Sequence, residues 1–235
     1  MRNVMEQYEL STMFSRVVYS KATAQDELVV KKASASVRDL SHLLWSSIDR
    51  ADSPELDQIE YCERGQGGEI LVKVAIADVD AFVPKGSILD AHAQTNATAI
   101  NTPIESFPML PDHLSRDLSC LPVGHDRLAI VVEFAVRPRG NIRHGKIYRA
   151  IVRNKADLVY EDIGAWLDGG ETPEILGEVP GLEGQIQLAD EASMRMGKHK
   201  LEGEADSEKI ERGARSKELG LCILPKGRAE RINEN

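Results

Sequence analysis

The sequence has 235 residues, of which 42% are hydrophobic and 29% are charged, and its formal net charge is −9. These values are typical of one globular domain, and they exclude a collagen, a coiled coil and a generally disordered chain. The acidic balance argues against a simple nucleic-acid binder, which usually has a basic face. It does not exclude a nuclease whose carboxylates hold a metal ion.

The cysteines are widely spaced and form no CxxC pair: Cys62, Cys120 and Cys222. This spacing indicates reduced thiols rather than a zinc site or a disulfide framework. The sequence shows no uninterrupted apolar stretch of signal-peptide type, and no apolar run approaches the roughly 20 residues that span a bilayer. We therefore expect a cytoplasmic protein that makes no contact with membranes.

The first half of the chain predicts an arm followed by a hairpin and a helix. Residues 1–39 are mixed in polarity and predict an N-terminal arm that is either poorly packed or forms one helix. Residues 58–63 and 69–83 alternate in polarity and predict two strands, joined by the glycine-rich linker at 64–68. The pattern that follows predicts a helix over 88–97, and three prolines predict an irregular loop over 101–113.

The second half predicts another hairpin and two helices. Residues 127–137 form the clearest strand pattern, and residues 142–153 are expected to return as its antiparallel partner. Helical patterns follow at 158–167 and 181–200. The mixed charges of residues 201–235 predict a divergent, charged tail. This order of hairpins and helices predicts an α+β fold with a mainly antiparallel sheet flanked by helices.

Four carboxylates fall within nine residues ahead of the first predicted strand: Asp49, Asp52, Glu55 and Asp57. Ser53-Pro54 favours a turn there, so Asp49, Glu55 and Asp57 can converge on one place. Converging carboxylates repel one another unless a cation neutralises them, and hard oxygen ligands favour Mg²⁺ or Mn²⁺. On spacing alone, a solvated acidic loop is the commoner interpretation.

Several segments resemble, in order, the RNB catalytic domain of the ribonuclease II and ribonuclease R family. Ser47-Ile48-Asp49 resembles the start of the family signature, and Glu55-Leu56-Asp57-Gln58 lies at its Asp-x-Asp-Asp cluster. Six further segments resemble the family in the same order. They are VAIADV (74–79), FPMLP (107–111), LS (114–115) followed by CL (120–121), DRLA (126–129), NKADLVY (154–160) and QLADEA (187–192). We therefore expect a partial RNB domain over 40–200, between the arm at 1–39 and the tail at 201–235.

The resemblance implies hydrolysis of single-stranded RNA from its 3′ end, one nucleotide at a time, with release of nucleoside 5′-monophosphates. It also implies a metal, Mg²⁺ or Mn²⁺, that activates water and stabilises the charge developing on the phosphate. The implied metal ligands are Asp49, Glu55 and Asp57, and the implied catalytic positions are those of Asp57 and Gln58.

Two departures from the family pattern bear on activity. Gln58 offers a neutral oxygen where the family has an aspartate. Asn101 lies near the position of an aromatic residue that stacks on a base. Arg143 and Arg149 are candidates for RNA-phosphate contacts, although ordinary solvated strand charges explain them slightly better. Two interpretations follow: an exoribonuclease homologue, or a degenerate or truncated fragment that only binds RNA or another partner.

Overall fold

The computed structural model describes residues 11, 13–24, 37–51, 56–101 and 106–207. The strands are β1 (Arg38–Asp39), β2 (Trp45–Asp49), β3 (Gln58–Arg64), β4 (Ile70–Ala77), β5 (Ile100–Asn101), β6 (Ser106–Phe107), β7 (Asp126–Val136) and β8 (Ile142–Val159). The α-helices are α1 (Arg16–Thr23), α2 (Ile88–Asn96), α3 (Tyr160–Leu167), α4 (Glu174–Glu178) and α5 (Leu182–Ser207). Short 3₁₀ turns span Gln66–Gly68 and Val79–Ala81, and a π-helical turn spans His113–Leu118.

Six strands form one sheet in the order β1-β8-β2-β3-β4-β7, and β8 also pairs with β7. The hydrogen-bonded order therefore closes on itself through β8, a strand of 18 residues. The pairs β2–β3, β3–β4, β4–β7 and β7–β8 are antiparallel, whereas β1 and β2 run parallel to β8. The prediction of an α+β fold with a mainly antiparallel sheet is confirmed, and the parallel pairing of β2 with β8 is an additional feature.

The two predicted hairpins form for local reasons. β4 and β7 are rich in valine and isoleucine, which suit a pleated and half-buried surface. The β3–β4 connection turns at Gly67 and Gly68, and both have the positive φ that glycine adopts without steric cost. β4 ends at Ala77, short of the predicted residue 83, because the chain leaves the sheet at Asp78 and turns through a 3₁₀ segment.

Side chains of alternating strand residues pack into separate hydrophobic cores. One core lies under the C-terminal helices and includes Val72, Val74, Phe134, Ile163, Leu176 and Ile186. Another contains Trp45, Ile59, Ala75, Val131 and Val152. Burying side chains of this size contributes about 1.5–3 kcal/mol each relative to exposure. Strands β4 and β7 contribute side chains to both cores and are thus packed on both faces.

The predicted helices over 88–97, 158–167 and 181–200 are present as α2, α3 and α5, and α5 continues to Ser207. The N-terminal arm contains one helix, α1, whose Val18 and Ala22 pack into a third hydrophobic core. At the predicted irregular loop, the short strands β5 and β6 pair antiparallel. Residues 208–235 of the predicted tail lie outside the described residues. In the part of the chain that the structure describes, no helix is long and apolar enough to cross a membrane.

Candidate functional site

Two of the predicted metal ligands come together at one end of the sheet. Asp49 is the last residue of β2, and Asp57 immediately precedes β3. Burial, together with the negative charges of Asp57 and Asp157, raises the pKa of the Asp49 carboxyl to about 6. Carboxylates that act on one another in this way repel, and a bound cation relieves that repulsion. This end of the sheet is therefore suited to binding a positive charge.

Backbone hydrogen bonds fix the segment that carries Asp57. The Leu121 N–H donates to the Leu56 carbonyl oxygen at 2.6 Å, and the Leu56 N–H donates to Sγ of Cys120 at 3.3 Å. On the other side, the Ala77 N–H donates to the Asp57 carbonyl oxygen at 2.9 Å. Cys120, Leu121 and Ala77 are buried, so the segment is attached to well-packed parts of the fold.

Asp157, which the sequence patterns did not indicate, is a third carboxylate at this end of the sheet. β2 and β8 run parallel, with Ser47 opposite Asp157. Ser47 Oγ donates to Asp157 Oδ1 at 2.9 Å, and Asn154 Nδ2 donates to the same oxygen at 2.6 Å. Ser47 and Asp157 are 110 positions apart in the chain, so no local sequence signal pointed to this contact.

Gln58, a predicted catalytic residue, is hydrogen-bonded to Glu60. Its Nε2 donates to Glu60 Oε1 at 3.0 Å. Side chains two residues apart on a strand share a face, so Gln58 lies on the same face as Glu60, opposite to that of Ile59. The structure thus brings Asp49 and Asp57 together and directs Gln58 toward Glu60.

Glu60 is a buried carboxyl beneath α5. It lines a small recess with Ser46, Ile48, Gln185, Ile186 and Ala189. Burial raises the pKa of Glu60 to about 8, and the hydrogen bond from Gln58 opposes part of that rise. Glu60 is therefore protonated and uncharged in the folded protein at neutral pH.

Glu55, the remaining predicted metal ligand, lies outside the described residues. Within 56–101, 106–207 and the shorter described ranges, no three His, Cys, Asp or Glu side chains are grouped as a metal site. The described part therefore supplies Asp49 and Asp57, which have suitable oxygen donors for Mg²⁺ or Mn²⁺, and not a complete set of ligands.

The predicted RNA-binding arginines are both ion-paired with carboxylates. Arg143 Nη2 lies 2.7 Å from Glu69 Oε2. Arg149 Nε lies 2.8 Å from Oδ2 of the buried Asp78, and its Nη2 lies 2.7 Å from Asp80 Oδ2. A phosphate would have to compete with these carboxylates for either arginine.

Asn101, the third predicted RNA-binding residue, lies in β5. It pairs with Ser106 of β6 in the small two-stranded sheet, separate from the six-stranded sheet that carries the aspartates. Its contact with RNA, like that of the two arginines, stays a prediction.

Comparisons of this sequence with protein families and with individual proteins identify one family. The model of a protein family described as RNB domain matches residues 37–226. Ribonuclease R of Escherichia coli (strain K12) is 32% identical to this chain over 164 residues, which are 70% of this chain and 20% of that protein. The chain therefore spans a minor part of this relative's length.

Solved structures show the same fold. Mycoplasma genitalium RNase R, in complex with ribose-methylated single-stranded RNA, matches with a TM-score of 0.79 at 22% identity. That match covers 98% of this chain and 36% of the other. Yeast Ssd1, described as a pseudonuclease, matches 70% of this chain and 19% of its own, with a TM-score of 0.55 at 15% identity.

Proposed function

Because this chain belongs to the RNB domain family, we propose that it carries the metal-binding part of a 3′→5′ exoribonuclease site that acts on single-stranded RNA. The observation that carries this proposal is the position of Asp49 at the end of β2 and of Asp57 just before β3, on neighbouring antiparallel strands. Both residues match aspartates of the family signature. The RNA complex of Mycoplasma genitalium RNase R, which has the same fold, supports RNA as the substrate class.

The family implies a divalent metal ion, and the carboxylate oxygens of this chain are suitable ligands for such an ion. Asp49 and Asp57 would hold the ion, with Glu55 as a further ligand, and these hard carboxylate oxygens favour Mg²⁺ or Mn²⁺. When bound, such an ion activates water and stabilises negative charge on a phosphate. The protein's own part is to place the two carboxylates, which it does through β2 and through the hydrogen bonds of Leu56 and Asp57.

A catalytically degenerate protein that binds RNA without hydrolysing it is the second candidate. Gln58 cannot supply charge or accept a proton, and its amide is engaged by Glu60. The match to yeast Ssd1 shows that a protein described as a pseudonuclease shares this fold. In this alternative the acidic end of the sheet serves RNA binding or contact with another partner.

We further propose the domain limits and the compartment that the sequence predicts. The partial RNB domain spans 40–200, between the arm at 1–39 and the charged tail at 201–235. Cys62 and Cys120 are buried free thiols, as is usual in a reducing compartment, and this supports a cytoplasmic location.

Metal-dependent RNA binding tests the proposed function. We expect the 235-residue chain to bind a short fluorescent single-stranded RNA more tightly in Mg²⁺ than in EDTA, as measured by fluorescence anisotropy. Asp57→Asn should remove this difference because it removes one of the two carboxylate ligands. Asp162→Asn, at an exposed position on α3, is the matched control and should preserve the difference.

Two results would contradict the proposal: no RNA binding in either condition, or a metal dependence that Asp57→Asn leaves unchanged. The same mixtures separate the two candidate functions when the RNA is labelled at its 5′ end and analysed on a gel. Gradual shortening from the 3′ end identifies a nuclease, whereas bound but intact RNA identifies the degenerate protein.

A further inference from the structure

We propose that Asp157 is a positioning residue of this metal site, which sets the affinity for the divalent ion through its hydrogen bonds and its charge. The inference rests on the proposed function, because it concerns the same site. It assigns a role to a residue of β8 that lies far along the chain from the acidic segment at 49–58.

The first connection runs from Asp157 to Asp49. In the parallel pairing of β2 with β8, Ser47 lies opposite Asp157, and Asp49 lies opposite Val159. Ser47 and Asp49 are two residues apart on β2 and therefore share a face. The 2.9 Å bond from the buried Ser47 hydroxyl to Asp157 thus fixes β2 just before Asp49.

The second connection runs from Asp157 to Asp57 through the buried Asn154. Asn154 Nδ2 donates to Asp157 Oδ1 at 2.6 Å and to the Leu121 carbonyl oxygen at 3.0 Å. The Leu121 N–H in turn donates to the carbonyl oxygen of Leu56, the residue before Asp57. One carboxylate therefore connects the two segments that carry the proposed metal ligands.

The negative charge of Asp157 is the second way in which this residue would set the affinity for the divalent ion. The negative charges of Asp157 and Asp57 both act on the Asp49 carboxyl. Gln58 is uncharged, and among the described residues Asp157 is the third aspartate at this end, after Asp49 and Asp57. A cation is attracted by nearby negative charges whether or not each of them is a direct ligand. Because no three described acidic side chains are grouped as a ligand set, positioning and charge suit Asp157 better than ligation does.

The test is a Mn²⁺ titration of the full chain, followed by the loss of the free-ion signal in electron paramagnetic resonance. We expect Asp157→Asn to weaken Mn²⁺ binding roughly tenfold, as is common for groups that support metal ligands. Ser47→Ala leaves every charge in place but removes one hydrogen bond, so it should weaken binding less. Asp157→Glu keeps the charge and should recover part of the affinity, whereas the control Asp162→Asn should bind as the unchanged protein does.

Unfolding in urea without metal, measured on the same variants, separates this role from a purely structural one. If Asp157→Asn lowers the free energy of unfolding but leaves Mn²⁺ affinity unchanged, the inference is overturned and the proposed function stands. If the unchanged protein binds no Mn²⁺, both are overturned. If Asp157→Asn does not fold, Ser47→Ala decides, and Mn²⁺ affinity equal to that of the unchanged protein then overturns the inference.

Discussion

Replacing Glu60 by glutamine is expected to raise the free energy of unfolding at pH 8 by about 4 kcal/mol, with little change at pH 4.5. Burial raises the pKa of Glu60 from an ordinary 4.5 to about 8, so the folded protein retains a proton that the unfolded chain has lost. Stability therefore falls as the pH rises through this interval. Glutamine is neutral at every pH and keeps an oxygen that can accept the hydrogen bond from Gln58.

Urea unfolding at several pH values measures this difference. Asp49, whose pKa is also raised, lowers stability with rising pH in both proteins, so its effect cancels when the two are compared. The control is Glu178→Gln at an exposed position of α4, which should follow the pH dependence of the unchanged protein. Curves for Glu60→Gln and the unchanged protein that run parallel from pH 4.5 to pH 8 would show that Glu60 is not held neutral.

The chain by itself is expected to shorten single-stranded RNA at least about a thousandfold more slowly than ribonuclease R of Escherichia coli. Gln58 supplies neither charge nor a proton acceptor, and Arg143 and Arg149 are engaged by carboxylates. Stacking of an aromatic side chain on a base is worth about 1–3 kcal/mol, which Asn101 does not provide. A loss of about 1.4 kcal/mol slows a reaction tenfold, so three losses of about this size account for the expected rate.

RNA labelled at its 5′ end, incubated with the purified chain and Mg²⁺, measures this rate directly. Asp57→Asn, purified in the same way, reports any contaminating nuclease. Processive shortening at a rate near that of the Escherichia coli enzyme, and lost in Asp57→Asn, would show that Gln58 and the paired arginines do not limit activity.

The hairpins could be predicted from the sequence because their signals are local. β7 and the first part of β8 alternate in polarity and are separated by a short turn, so strand type and partner both follow from neighbouring residues. β2 was not predicted, since four of its five residues are buried and give no alternation. Its neighbour β8 lies more than 100 positions away, and residue patterns do not report such pairing.

The candidate site likewise contains some residues whose placement could be predicted from the sequence and others whose placement could not. The proximity of Asp49 and Asp57 was predicted from a turn-forming segment and the family signature. Asp157 depends on the parallel register of β2 and β8, for which the sequence carries no short-range signal. The burial of Glu60 depends on α5, which covers this face of β3 and lies more than 100 residues later in the chain.

A thermal melt with and without divalent metal tests most directly whether Asp49 and Asp57 form a metal site. An ion that binds only the folded protein, at a hundredfold excess over its dissociation constant, adds about 2.7 kcal/mol of stability. For a chain of this length that corresponds to a rise in Tm of roughly 5–10 °C. We expect this rise with Mg²⁺ or Mn²⁺ in the unchanged protein and its loss in Asp57→Asn. A melt unaltered by millimolar metal, or an equal rise in Asp57→Asn, would contradict the metal site.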